Sequence, residues 1–377
     1  MSEKVRAIII DLSKRFGGAS TRTITLAQGL KSWDVAIAGL SGSPVVEMAK
    51  KKGIPVFTVG KYRGNPLIPF RLASHIRQGG YQVLDTQNIQ SKLWGSIAAL
   101  LTNSAIVSTL NSEYISEHGG SLKGRTYAAI DFLTNWKIDR YVVVSETIKK
   151  SLLMAGMTDS CVDVIHNAVE IDPNPKSIDP KQFREEWGLP QDAILCVAVG
   201  RLVWAKGFDD LIKAFNSVVN EIHNVYLMIV GGGEMFSALS AQVVQTGLQN
   251  KIFLAGYRNH DWVQDTLKCA DIFVMSSRSE GVPYALLEAA AVRLPTVATD
   301  CGGIPEVVTN RVEALLVPVG NVTALSAAII ELCNDQKYAK ELGRNIKEKI
   351  RTEYSLVSQL NAVKQAYLKA LDHKRNK

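Results

Sequence analysis

SSRSEGVPYALLEAAAVRLPTVATDCGGIPEVV, residues Ser276 to Val308, packs a turn-rich entry, a short helix, a strand and a second Gly-rich turn into 33 residues. The pattern predicts a helix from Tyr284 to Val292, apolar all round apart from Glu288. A helix with no polar face is a buried one, and a buried carboxylate is costly unless donors satisfy it. Glu288 therefore demands a donor, in the protein or in a ligand. Pro283 stands where a first helical residue would be, and Gly281 lets the chain turn tightly into it. The amides of such a first turn carry partial positive charge and suit an anion. Glu280 lies just outside that end, eight residues before Glu288. Spacing alone leaves a plainer reading open, with one surface carboxylate and one capping or salt-bridged one.

Around this stretch the C-terminal half alternates strands and helices. The strands are Ile194–Val199, Val225–Val230, Lys251–Leu254, Ile272–Met275, Thr296–Ala298 and Ala314–Val317. Three turns follow strands of this series. GRLVWAKG (Gly200–Gly207) places Arg201 and Lys206 at the carboxyl edge of the sheet, a planar fork and a compact cation suited to a diphosphate. VGGGEM (Val230–Met235) ends the next strand in a flexible turn around Gly232. CGGIPE (Cys301–Glu306) repeats the Gly-then-Pro helix entry. Each alone is a turn; together, at the ends of strands in one sheet, they read as a phosphate-binding cleft. From Leu325 to Leu371 the pattern is helical.

The N-terminal half shows the same alternation. Short apolar strands at Val5–Ile10, Val35–Ala38, Pro55–Val59, Val83–Asp85, Ala105–Thr109, Tyr141–Ser145 and Val162–Ile165 are mostly separated by helical stretches. Such alternation means a parallel sheet covered on both faces. Ligands of such sheets bind outside the carboxyl ends of the strands, which singles out Asp11–Ser20, Thr86–Gln90 and Leu110–Gly120. Gly17-Gly18 in the first of these loops suits a close backbone approach to a phosphate or sugar, though it is neither a GxGxxG nor a P-loop. Leu67–Gln78 is moderately amphipathic and reads as a sheet-covering helix in preference to a membrane-contacting one. Four prolines between Asp172 and Pro190 mark the link between two domains.

The full chain of 377 residues suits two domains. Its apolar runs are strand-sized, so none spans a membrane, and the opening MSEKVRAIII reads as a first strand and not a signal peptide. Five cysteines, scattered singly without a CxxC, argue against a zinc site and for reduced thiols in a cytosol. The net charge of +7 is uneven. Residues 1–170 carry 20 Lys and Arg against 13 Asp and Glu, whereas residues 171–377 carry 23 of each. A basic half suits an anionic partner such as a membrane surface; a plain solvated face explains it as well. No aromatic-rich basic stretch accompanies the charge, so nucleic acid is not expected.

These motifs resemble those of the family 4 glycosyltransferases. GRLVWAKG is similar to that family's Gly-Arg-Leu…Lys-Gly motif and SEGVPYALLE to its Glu-x7-Glu motif. TDCGGIPEVV, VGGGE, FGGAS near the N-terminus and HNAVEID at the domain junction fit as well. The resemblance covers nearly the whole chain and is specific mainly in the C-terminal half. It implies an α/β chain with two Rossmann-like doubly wound domains facing a central cleft, the GT-B fold. Residues 1–170 would bind the acceptor and 171–355 the nucleotide-sugar donor, with 356–377 packing back on the first domain. It further implies a retaining, metal-independent transfer of a hexose-type sugar from a UDP-, GDP- or ADP-sugar to a carbohydrate or lipid-linked acceptor, with no cofactor. The setting expected is cell-surface polysaccharide or glycolipid synthesis in the cytoplasm, with peripheral contact to an anionic membrane. Carried over residue by residue, Arg201 and Lys206 would hold the diphosphate and Glu288 the ribose hydroxyls. Glu280 and the backbone at Gly281, Val282, Pro283 and Tyr284 would hold the transferred sugar, with Gly17, Gly18 and Gly232 also at the donor.

One departure bears on the chemistry. Where the family has Thr-x-His after the Ala105–Thr109 strand, this chain has Thr109-Leu110-Asn111. Asn111 keeps a hydrogen-bonding side chain but carries no positive charge. His118, seven residues on, is a second candidate beside Asn111 and Glu280, against the plainer reading of a solvated loop histidine. A GT-B epimerase and a non-catalytic or regulatory sugar-nucleotide-binding protein remain as rivals; a phosphorylase is disfavoured by the lack of a pyridoxal phosphate lysine motif.

Overall fold

The computed structural model describes residues 5–112, 129, 133–171 and 178–376. The chain divides into two units, one of Met1–Asn167 with Leu356–Lys377 and one of Ala168–Ser355. The link between the sheets therefore begins at Ala168, and the last helix belongs to the first unit.

The first unit is a seven-stranded parallel sheet in the order β3-β2-β1-β4-β5-β6-β7. Its strands are β1 (Arg6–Asp11), β2 (Asp34–Leu40), β3 (Val56–Gly60), β4 (Val83–Thr86), β5 (Ala105–Leu110), β6 (Arg140–Val143) and β7 (Val162–Val164). Successive residues of a strand point to opposite faces, and β1 shows why its run is apolar throughout. Ala7 and Ile9 pack with Leu26 of the helix Gly18–Gly29 and with Val363 and Tyr367 of the helix Leu356–Arg375. Ile8 and Ile10 pack on the other face with Leu72, Ile76, Ala98 and Ala99. The helix Ile68–Gly79 thus covers the sheet through Ile68, Leu72 and Ile76 and leaves Phe70 exposed.

The second unit holds a six-stranded parallel sheet in the order β10-β9-β8-β11-β12-β13. These strands are β8 (Ile194–Val199), β9 (Val225–Val230), β10 (Ile252–Gly256), β11 (Ile272–Met275), β12 (Thr296–Thr299) and β13 (Leu315–Val317). The helix Tyr284–Ala291 is buried on all sides because it lies in one core cluster with Phe273 and Met275 beneath it and Ile346 and Ile350 from the helix Gln336–Glu353. Pro283 is its N-cap, one place earlier than its sequence position suggested.

In both sheets the strand order reverses beside the first strand, between β1 and β4 and between β8 and β11. Each reversal opens a crevice at the carboxyl ends of the strands, where parallel sheets bind ligands.

Candidate active site

The loops after β8 and β11 meet at the second switch point. After β8 the chain makes a short turn, Trp204–Lys206, into Gly207. Gly207 sits at φ +61°, and a Cβ there would lie 2.0 Å from the Ser276 carbonyl oxygen. Only glycine permits both that backbone angle and that approach. The Ser276 hydroxyl donates to the Lys206 carbonyl at 3.0 Å, and the Arg278 amide donates to Ala205 O at 2.7 Å. Arg278 clamps the two loops further, through Trp204 O at 2.7 Å and through Asp209 and Asp210. Its own hydrogen bond to Asp209 leads the causes that raise its pKa, so its charge is spent on architecture. Sequence reading passed over Arg278; its place inside SSRSEG beside two serines gave no sign of the aspartates it meets nearly 70 residues away.

This clamp places Lys206 against Glu280, 74 residues on in the chain. The ammonium and the carboxylate form an ion pair, and the Ser277 hydroxyl donates to the same Glu280 oxygen at 2.6 Å. Both side chains are largely shielded from solvent. Gly302, at φ +54°, lies behind Glu280: a Cβ there would lie 1.9 Å from its carbonyl oxygen. Arg201 stands exposed at the same edge. Gly232 accepts from the Leu202 amide at 3.0 Å, which ties the β9 turn to the β8 loop.

Glu288 is 8% exposed on its helix. Burial pushes its carboxyl up to about 8, so it holds its proton near neutral pH. The donor that the sequence demanded is thus replaced in part by protonation. His260, the first residue of the helix His260–Cys269, brings Nδ1 to 3.7 Å from Glu288 Oε1. Sequence reading missed His260; the sole available signal was its position after a sheet strand at the carboxyl edge.

The structure gathers Lys206, Glu280, Gly281, Val282, Pro283, Tyr284 and Glu288 on consecutive elements of the second unit. Gly17, Gly18 and Asn111 belong to the first. Gly17 caps the helix Gly18–Gly29 in extended conformation, with nothing within 4 Å of where a Cβ would be. The loop before it is anchored by buried Asp11, which accepts from Ser20 Oγ at 2.7 Å, from the Ser13 amide at 2.8 Å and from Asn88 Nδ2 at 3.1 Å. Asn111 donates through Nδ2 to Gln87 O at 3.2 Å, and its buried Oδ1 makes no hydrogen bond among the described residues. One free acceptor therefore lies at the end of β5, and Gln87, whose side chain also reaches buried Asp85 at the end of β4, joins the candidates. His118 lies outside the described residues.

Two family models match the chain in succession. "Glycosyltransferase Family 4" matches residues 16–173 and "Glycosyl transferases group 1" residues 179–349. The chain belongs to the family 4 glycosyltransferases. It is an enzyme of the glycosyltransferase class. An uncharacterized glycosyltransferase of Methanocaldococcus jannaschii is 26% identical over 281 residues, 73% of this chain and 72% of that one. A UDP-Gal:alpha-D-GlcNAc-diphosphoundecaprenol alpha-1,3-galactosyltransferase of Escherichia coli is 23% identical over 306 residues, 78% of this chain and 76% of that one. Among solved structures, the Anabaena protein HepE in complex with UDP-glucose superposes with a TM-score of 0.85 at 19% identity, covering 96% of this chain and 98% of that one. That likeness shows the fold. Relatives of this glycosyltransferase thus include enzymes of polysaccharide and glycolipid synthesis. No helix among its described residues is long and apolar enough to cross a membrane.

Proposed function

We propose that this glycosyltransferase moves a hexose-type sugar, with retention and without a metal ion, from a UDP-, GDP- or ADP-sugar to a hydroxyl of a carbohydrate or lipid-linked acceptor. The second unit would hold the donor and the first the acceptor. The observation that carries this reading is the convergence of Lys206, Ser277 and Glu280 at the switch point of β8 and β11, with buried Glu288 on the helix that follows β11. Lys206 would give its ammonium, now on Glu280, to the diphosphate, and Arg201 would add a second cation. Preorganised charge of this kind stabilises a departing diphosphate without reorganisation during the reaction. Glu280, released from Lys206, would accept from hydroxyls of the sugar, and Glu288 from those of the ribose. Exposed Tyr62, Leu67 and Phe70 lie near Lys61, Arg63 and Arg71 in the chain, which suits peripheral work at an anionic membrane on the cytoplasmic side.

The test is turnover of Lys206→Ala and Arg201→Ala. A charge-assisted hydrogen bond contributes about 1.5–3 kcal/mol, so each variant should lose roughly tenfold or more in turnover with the fold intact. Wild-type kinetics in both would end the assignment. A screen of nucleotide-sugars by thermal stabilisation identifies the donor, since a ligand at about 100 times its dissociation constant adds about 2.7 kcal/mol.

A further inference from the structure

A second cavity, of about 400 Å³, opens in the first unit beside the ends of β2 and β3. Lys61 and Arg71 supply its charge, and Ser41, Thr58, Tyr62 and Asn65 its hydroxyl and amide groups. No carboxylate lines it. Among the described residues Lys61 has no ion pair, and the Arg71 guanidinium makes one hydrogen bond, from Nη1 to Val59 O at 3.3 Å. Two cations thus face one hollow with no carboxylate among the described residues paired to them.

The hollow is open to solvent, with Tyr62 70% exposed, and its floor is held in place from beneath. Gly60 lines it, and a Cβ there would lie 3.4 Å from Asn65 Nδ2 and 3.7 Å from Arg71 Nη1, filling space next to both donors. Asn65 is oriented by the Leu67 amide, which donates to its Oδ1 at 3.0 Å. The loop is pinned from outside as well: Trp94 Nε1 donates to Arg63 O at 2.7 Å, and Arg63 Nε donates to Leu12 O at 2.9 Å. The helix Ile68–Gly79 starts beside Gly60, with Ile68 Cγ1 3.8 Å from the same Cβ position, and its N-terminal dipole adds to the field. A planar guanidinium, an ammonium and hydroxyl donors are the set that recognises phosphate oxygens.

We infer that this cavity holds a phosphate or diphosphate group of the acceptor. The inference rests on the proposed function, in which the first unit takes the acceptor, and makes that acceptor a phosphorylated one. The cavity is built by the ends of β2 and β3, whereas Lys206, Glu280 and Glu288 stand on the segments after β8 and β11.

The test titrates inorganic pyrophosphate into protein saturated with UDP, GDP or ADP, whichever binds, so that the donor diphosphate site is filled. Lys61→Ala/Arg71→Ala should weaken pyrophosphate binding by roughly tenfold or more and leave nucleotide affinity and melting temperature unchanged. Lys51→Ala/Lys52→Ala removes the same charge from the exposed C-terminal end of the helix Pro44–Lys51 and should leave pyrophosphate binding intact. Equal weakening in both double variants would reduce the effect to general surface charge and overturn the site. So would unaltered pyrophosphate affinity in Lys61→Ala/Arg71→Ala, including the case where that variant loses only co-sedimentation with phosphatidylglycerol vesicles; the cations would then serve a lipid surface. If none of the three nucleotides binds, the donor reading falls, and pyrophosphate titrated alone still decides the cavity.

Discussion

Glu288 keeps its proton in the free enzyme, because burial raises its pKa from 4.5 to about 8. An acid whose pKa is higher folded than unfolded binds more protons in the folded state, so stability falls as pH rises between the two values. The melting temperature of ligand-free protein should therefore drop from about pH 5 to about pH 8, with a contribution of a few kcal/mol from this group. Glu288→Gln, which mimics the protonated acid, should remove that part of the slope and melt like wild type at the acid end. Ribose hydroxyls would stabilise the carboxylate, so wild-type nucleotide affinity should strengthen with pH over the same window and that of Glu288→Gln should not. A flat affinity profile in both proteins would show that Glu288 serves structure alone. Its burial was legible in the sequence, since Tyr-Ala-Leu-Leu-Glu-Ala-Ala-Ala offers no polar face. Its partner was not. His260 and Gln87 reach their sites through sheet topology, and a single sequence carries no trace of which loops meet.

At the scale of elements, the Gly207 turn is the joint that sets Lys206. Gly207→Ala combines a left-handed backbone angle with a 2.0 Å approach to Ser276 O. Strain of the first kind alone costs about 1–3 kcal/mol. Thermal unfolding should show at least that loss, and donor affinity should fall with it as the loop that carries Lys206 is displaced; unchanged values for both would mean the loop has slack. The strands were readable because parallel strands buried on both faces are continuous apolar runs, as in Ala-Ile-Ile-Ile at Ala7–Ile10. Helix ends were less so. The helical pattern from Leu325 to Leu371 is three helices, broken where Asp335 turns its side chain to the Tyr338 amide and where Ser355 pairs with Val169. Local caps and long-range bridges overrule a pattern that is helical throughout. The Tyr367 hydroxyl donates to buried Asp85 at 2.6 Å and ties the last of these helices to β4. Tyr367→Phe should leave that oxygen unsatisfied and cost about 1–3 kcal/mol of stability, read by denaturant unfolding; an unaltered midpoint would show the bond to be dispensable.

For the whole molecule, the electrostatic assignment has a direct test. If Arg201, Lys206 and the amides at Gly281–Tyr284 neutralise the diphosphate, turnover should persist in excess EDTA. Activity that EDTA abolishes and Mg²⁺ or Mn²⁺ restores would transfer that role to a metal. Among the described residues no group of three or more His, Cys, Asp or Glu is arranged to hold one. The uneven charge, visible in the sequence as a count, acquires a location in the structure: Lys61 and Arg71 share one hollow. Counting could place the excess in the first 170 residues but not in a cavity.

The first unit is not contiguous in sequence, since Leu356–Lys377 completes what Met1–Asn167 begins. During synthesis the ribosome must make all of Ala168–Ser355 before Tyr367 emerges to meet Asp85. Until then the face of β4, β5 and β6 that receives Val363, Ala366, Tyr367 and Ala370 is bare apolar surface. The second unit, continuous in the chain, has no such wait. The domain begun second is thus free to reach its native state first, while the domain begun first keeps an open sheet until its last helix is made.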